Sequence, residues 1–326
     1  MRPIPATAGL TARTLVKTVH LLVAIGLSLA FGDAQPERPQ QASLPAYSGI
    51  AGIVEAFRTA RIVALPDRHQ DSMSSQFRIE LISQPEFAAT VDDIVIEWGN
   101  RLYQNTLDRY IAGEEIAEAD FRKIWRNTVG GLNGIWDSPL YRQFLSAVRE
   151  TNKKLPRSRR MRVLAGDPPI DWAKVESKDE FARFTGRDES FLSVLESEVL
   201  AKRHRALLIM GSGHLLRGLE KNGPGVVDRF EKTHAPERIF VIGISPAITR
   251  QLDSYPAQSL FFTKGTWLEE PSSARGRLIY DAVLTLPAGE RVPPPASVYA
   301  DPEYFREMDR RWRLVLGRPF DPSALP

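Results

Sequence analysis

Four short apolar runs that break off into polar residues constrain this chain more than any other feature. They are residues 61–65 (RIVAL), 93–97 (DIVIE), 161–165 (MRVLA) and 207–210 (LLIM). A strand with one wet face alternates apolar and polar side chains. A strand covered on both faces reads as an unbroken apolar run, the condition of a parallel sheet between helices. Amphipathic stretches separate the runs. After Asp71, a natural N-cap, Met73, Phe77 and Leu81 recur at every fourth position until Pro85. Between the second and third runs come three helical faces with no strand among them: Tyr103, Leu107, Tyr110 and Ile111; Phe121, Ile124 and Trp125; Tyr141, Phe144, Leu145 and Val148. The pattern predicts an α/β fold, a mostly parallel sheet flanked by helices in three layers. A helical insertion over about 101–155 separates strands two and three. Residues 238–244 (RIFVIGI) and 277–286 read as a fifth and a sixth strand.

With 326 residues, 43% of them hydrophobic, the chain can bury a full core. Its ends look different from its middle. Arg2, Arg13 and Lys17 precede an apolar run of about 11 residues and then Gly-Asp-Ala, the layout of an export signal over 1–34 and too short to span a bilayer comfortably. Three basic residues and one acid leave with it, so the formal charge of +3 falls to +1. A nearly neutral chain lacks the concentrated basic face of a nucleic-acid or anionic-membrane binder. Residues 35–47 read as a flexible, Pro-containing leader, 48–290 as the α/β domain, and 291–326 as loops with one short helix near 303–312. The absence of cysteine removes disulfides, thiolate catalysis and Cys-ligated zinc. These features predict an exported bacterial protein, periplasmic or secreted, with no stable membrane insertion once the signal is removed.

In a parallel sheet all carboxyl ends lie on one edge, where open α/β folds place their ligands. The strand ends here carry Asp67-Arg68-His69, Glu97, Asp167 and Gly211-Ser212-Gly213-His214. His69, Glu97 and His214 are therefore the candidate centre. Two imidazoles and a carboxylate can hold a divalent metal with open positions. They can equally work without one, an imidazole oriented by a carboxylate acting as general base on water. Asp67, Arg68, Asn100, Tyr103, Gln104, Asp167, Gly211, Gly213 and Arg217 are candidates to line the same cleft. Gly211-Ser212-Gly213 lacks the third small residue of a dinucleotide fingerprint, and Ser212 has no GxSxG elbow around it.

The acid and histidine after the first strand, the Glu ending Ile94-Val95-Ile96-Glu97, and the Gly-x-x-His of Gly211 to His214 resemble a superfamily. It joins ChaN-like haem-uptake proteins, Tiki and TraB-type proteins, and erythromycin esterases. The similarity spans roughly residues 55–245, including the helical insertion. Family members commonly have Gly-Glu where this chain has Pro66-Asp67. The resemblance implies hydrolysis of an ester or amide at a His69, Glu97, His214 centre, with Mn, Co, Zn or Fe in Tiki-type members. For the haem-uptake branch it implies a haem cleft between sheet and helical lobe, and binding without turnover. The partner expected is a small-molecule or peptide substrate, or haem.

Overall fold

The computed structural model describes residues 43–218, 223–274 and 276–325. The segment read as an export signal, 1–34, and leader residues 35–42 lie outside the described residues. The described strands are β1 (Tyr47–Ser48), β2 (Ile62–Pro66), β3 (Asp93–Asn100), β4 (Arg162–Asp167), β5 (Ala206–Met210), β6 (Ile239–Gly243), β7 (Ser259–Phe262), β8 (Ser273–Ala274), β9 (Arg277–Leu278) and β10 (Ala282–Leu284). Eight of them form one sheet in the order β1-β7-β10-β6-β2-β5-β3-β4. From β10 to β4 every pairing is parallel, while β7 and β1 close one side antiparallel. The fold class is the expected one, a mostly parallel three-layer α/β sheet with a mixed edge.

Every residue of β2, β3 and β5 is buried. Along β2, Val63 and Leu65 enter one apolar core with Phe77, Trp98, Tyr141 and Phe144, while Ile62 and Ala64 enter another with Phe191, Val227 and Phe230. Successive residues thus feed opposite layers, and this is why the runs do not alternate in polarity. Helices Gln104–Ala112, Glu118–Arg126 and Pro139–Lys153 fill the stretch between β3 and β4. Asp71 caps helix Ser72–Ile82, its carboxylate accepting the Ser74 N–H at 2.7 Å.

Three departures from expectation have local causes. Residues 277–286 are not one strand: β9 pairs with β8 in a small ribbon, and β10 alone joins the sheet. Asp281 separates them, because its carboxylate is claimed by Arg217 and by the Val241 N–H, both at 2.8 Å. β7 was not foreseen, and it draws in the start of the described chain. Tyr47 and Ser48 pair with it, and Leu44 is buried with its N–H on the Tyr255 hydroxyl at 2.8 Å. The C-terminal helix runs over Pro302–Leu316, longer than expected. Among the described residues no helix is long and apolar enough to cross a membrane.

The order places the ends of β2, β5, β3 and β4 side by side. Pairing of β3 with β4 is regular up to Ile96 opposite Ala165 and then slips, so that Asn100 faces Asp167. Such a bulge re-aims a side chain at a strand end. It needs Gly99, where a Cβ would sit 2.8 Å from the Cβ and 2.9 Å from the Cα of Ala165. Gly99→Ala is expected to cost about 1–3 kcal/mol, as overpacking against backbone does. Urea unfolding should show a lower midpoint at unchanged slope.

Candidate active site

β2 ends in Pro66, and the chain turns through Asp67, Arg68 and His69. Asp67 is fully buried, and its Oδ2 lies 2.9 Å from His69 Nδ1. An ionised carboxylate only accepts, so Nδ1 carries the proton and Nε2 is left to act. The same carboxylate binds the buried Arg78 guanidinium and accepts the Tyr141 hydroxyl at 3.2 Å. Trp136 packs edge-on against the His69 ring with centroids 4.9 Å apart. The imidazole remains about a third exposed, at 36%.

Across the cleft, Gly211 follows the end of β5, and one helical turn, Ser212–Leu215, delivers His214. Its Nδ1 lies 2.9 Å from Asp188 Oδ1, so this imidazole too is backed by an aspartate. Glu97 stands between the two. It accepts the Gly211 N–H at 2.6 Å and Arg187 Nη2 at 3.0 Å, and its Oε1 is 3.5 Å from His214 Nε2. That last distance is an electrostatic contact rather than a hydrogen bond of good geometry. A Cβ at Gly211 would lie 3.1 Å from His69 Nε2 and 3.4 Å from Glu97 Oε2, so only glycine lets these groups close over the strand end. Arg187 also donates from Nε to Asp167 at 2.6 Å, and Asp167 accepts the Val129 N–H. Arg187 Nη1 and His214 Nε2 meet at 3.4 Å because both lean on Glu97.

The charges follow from this packing. Burial works against the Asp67 charge, but Arg78 and His69 hold its pKa below the usual carboxylate range. Burial likewise opposes the Glu97 charge, and His214 and Arg187 hold it far down. Desolvation lowers both imidazoles, yet their carboxylates more than offset it. His69 is raised by Asp67 and Glu97, and His214 is raised to about 9 by Asp188 and Glu97. Asp167 is pushed up to about 6 by burial, despite Arg187.

The expected trio of His69, Glu97 and His214 therefore meets, with Asp67, Asp167 and Gly211 around it. Other candidates lie elsewhere. Arg68 turns to the Leu286 carbonyl at 3.2 Å and to Asp71 at 3.1 Å. Asn100 is spent on the Asn127 and Ile170 carbonyls, at 2.7 and 2.8 Å. Tyr103 accepts from Asn127 at 2.7 Å. Gln104 pins β4 through Val163 O and the Ala165 N–H, at 2.9 and 2.7 Å. Arg217 is buried against Glu231 and Asp281. A Cβ at Gly213 would meet nothing within 4 Å. Arg78, Trp136, Arg187 and Asp188 went unread in the sequence, and so did the contact of Tyr141, visible only as a helix-face residue, with Asp67. A buried carboxylate needs a cation, so arginines near Asp67 and Glu97 were required, but their positions are tertiary.

The donor set does not fit a divalent metal. Glu97 is already held by a guanidinium and a backbone N–H, Arg187 occupies the space beside it, and His214 is protonated at neutral pH. Among the described residues no three His, Cys, Asp or Glu side chains are grouped to hold an ion. This corrects the expectation of a His69, Glu97, His214 metal site. For haem the fit is partial: with Nδ1 on Asp67, His69 Nε2 would be the atom able to ligate its iron, on a partly exposed ring. Cavities of about 950 and 670 Å³ lie by the turn before β6 and the start of β2, away from this ring.

No family model matches the chain, and no curated protein does. Three solved structures are similar in shape. The type III effector HopBA1 is 11% identical with a TM-score of 0.41, covering 77% of this chain and 99% of that one. ChaN of Campylobacter jejuni, with cofacial haem bound, is 13% identical with a TM-score of 0.43, covering 73% and 91%. RRSP, a MARTX toxin effector domain from Vibrio vulnificus CMCP6, is 15% identical with a TM-score of 0.35, covering 62% and 37%. At such identities and TM-scores the likeness does not extend to chemistry.

His214 has a folded pKa above the unfolded value of about 6.5, so its stabilising contribution is whole below pH 6.5 and is lost as pH rises through about 9. That contribution is on the order of 3 kcal/mol. Asp188→Asn should lower the His214 titration, read by imidazole NMR, and flatten the fall of Tm between pH 6.5 and 9.

Proposed function

We propose that this chain hydrolyses an ester or amide bond by metal-independent general acid–base catalysis, with His69 as base and His214 as acid. One observation carries the reading: two Asp-backed imidazoles flank Gly211 and Glu97 in unequal environments. Asp67 divides its pull among His69, Arg78 and Tyr141. His214 lies against both Asp188 and Glu97 and holds its proton to about pH 9. Environments that push two titrating groups apart assign the acid and the base.

His69 Nε2 takes a proton from water as its oxygen attacks the carbonyl carbon. The tetrahedral intermediate then collapses with cleavage of the C–O or C–N bond, and His214 Nε2–H protonates the departing oxygen or nitrogen. Asp67 and Asp188 hold the two rings in the required tautomer and stabilise each cation. Glu97, itself held by Arg187, keeps His214 charged without binding its Nε2 proton tightly.

A panel of aryl esters and peptides tests this on the purified chain. Activity should rise as His69 loses its proton above pH 6.5 and fall as His214 loses its own near pH 9. His69→Ala should lose on the order of 10²–10⁴-fold in kcat, and a chelator should change nothing. Titration with haem separates the alternative. A Soret band lost in His69→Ala, with no hydrolysis on any substrate, would replace this reading with haem binding.

A further inference from the structure

The segment from Arg126 to Asp137 joins helix Glu118–Arg126 to the turn before Pro139–Lys153, and it touches the site three times. The Val129 N–H donates to Asp167, the Ile135 carbonyl accepts Gln70 Nε2 at 3.2 Å, and Trp136 lies against His69. Its middle reads Gly130-Gly131-Leu132-Asn133-Gly134. Three glycines in five residues leave the backbone no stiffness of its own. Its own bonds are short turns such as Gly134 N–H to the Gly131 carbonyl at 2.9 Å, and the rest of its support comes from outside.

Asn100, Tyr103 and Trp172 hold its start at Asn127, and the C-terminal helix Pro302–Leu316 holds the rest. Arg311, 4% exposed, donates from Nη1 to the Arg126 carbonyl and from Nη2 to Asn127 Oδ1, both at 2.7 Å. Its guanidinium lies 4.6 Å from the Trp172 ring and is paired with Glu307. Trp312 Nε1 donates to the Leu132 carbonyl at 2.7 Å, and the Tyr304 hydroxyl donates to Asp137 at 2.7 Å. Asp137 in turn holds Arg126 at 2.7 Å. Burial lowers the Arg311 pKa even with Glu307 beside it, a cost that an apolar residue would avoid. A cation serves here because it satisfies two oxygens of the segment at once, the Arg126 carbonyl and Asn127 Oδ1.

We propose that the C-terminal helix is a brace for the site, with Arg311 as a positioning residue that sets the environment of His69 through the 126–137 segment and Trp136. It touches neither the imidazoles nor the acids, and it acts by keeping the indole over the His69 ring. This rests on His69 being a site residue. The ring titration is read without turnover, so failure of the hydrolase reading leaves the test intact.

The experiment compares three variants by imidazole NMR, with thermal unfolding as the measure of fold. In Arg311→Met the segment loses two anchors, Trp136 lifts, and the desolvation that lowers His69 is relieved. The His69 midpoint should rise by about half a unit, with a red shift of tryptophan emission. Trp312→Phe, which removes the bond to Leu132 and leaves both Arg311 anchors, should shift it in the same direction by less. Arg310→Met is the control, because Arg310 bonds the Val175 and Trp172 carbonyls from the same helix and not the segment. It should lower Tm and leave His69 unmoved. If all three variants shift His69 alike, or if Arg311→Met and Trp312→Phe lower Tm without shifting it, the brace has no bearing on the site and the proposal fails.

Discussion

Arg187 is the charge on which the rest of the site depends. Its side chain is largely buried and spans the ends of two neighbouring strands, with Nε on Asp167 at the end of β4 and Nη2 on Glu97 in β3. Removing a guanidinium from water costs several kcal/mol, and so does burying each carboxylate. Their mutual pairing offsets this only while all three stay in register. The arrangement therefore ties chemistry to topology. β3 and β4 must pair, the bulge at Gly99 must turn Glu97 toward the cleft, and helix Arg187–Val194 must begin where it does. Loss of both acids would strand a buried cation, a change that typically costs about 3–5 kcal/mol.

The same guanidinium explains why the donor set reads as a metal site in sequence and not in space. Two histidines and a glutamate at strand ends are a ligand set on paper. Here the positive charge that would balance Glu97 is built into the chain, and it arrives through the amide N–H of Gly211 as well. Around the cleft stand Asp67, Glu97, Asp167 and Asp188, facing Arg78 and Arg187. That balance favours the charged form of His214, the opposite of what a metal ligand must be. Both histidines are raised for this reason, and they are raised unequally because Asp67 is shared and Asp188 is not.

Much of this was legible before any coordinates. The unbroken runs at 61–65, 93–97 and 207–210 implied strands buried on two faces, and polar residues at their ends implied a shared edge. That brought His69 and Glu97 together with His214, which lies more than a hundred residues further along the chain. Arg68, Asn100, Gln104 and Arg217 bond loop carbonyls, backbone and acids instead of the trio, for one reason. A polar residue near a strand end is as well suited to satisfying loop carbonyls as to meeting a ligand, and a sequence carries no sign of which way it points. Arg78, Arg187 and Arg311 were invisible for the complementary reason. An arginine on an amphipathic helix reads as solvated until the acid or carbonyl that buries it is known.

Position relative to the sheet also misled at the C-terminus, where prolines and charge suggested loops around one short helix. Helix Pro302–Leu316 instead carries Met308, Arg311 and Trp312 on a buried face. A helix outside the sheet layers adds nothing to strand pairing, so its docking must be justified by what it covers, and what it covers is the glycine-rich segment leading to Trp136. The site is thus held from two directions. Strand register places the acids, and a helix remote in sequence places the aromatic wall. The two are joined at Asp167, which accepts from Arg187 on the sheet side and from the Val129 N–H on the insertion side. Burial and these two contacts leave Asp167 with a pKa near 6, so it ionises at a cost in stability as pH rises past that value.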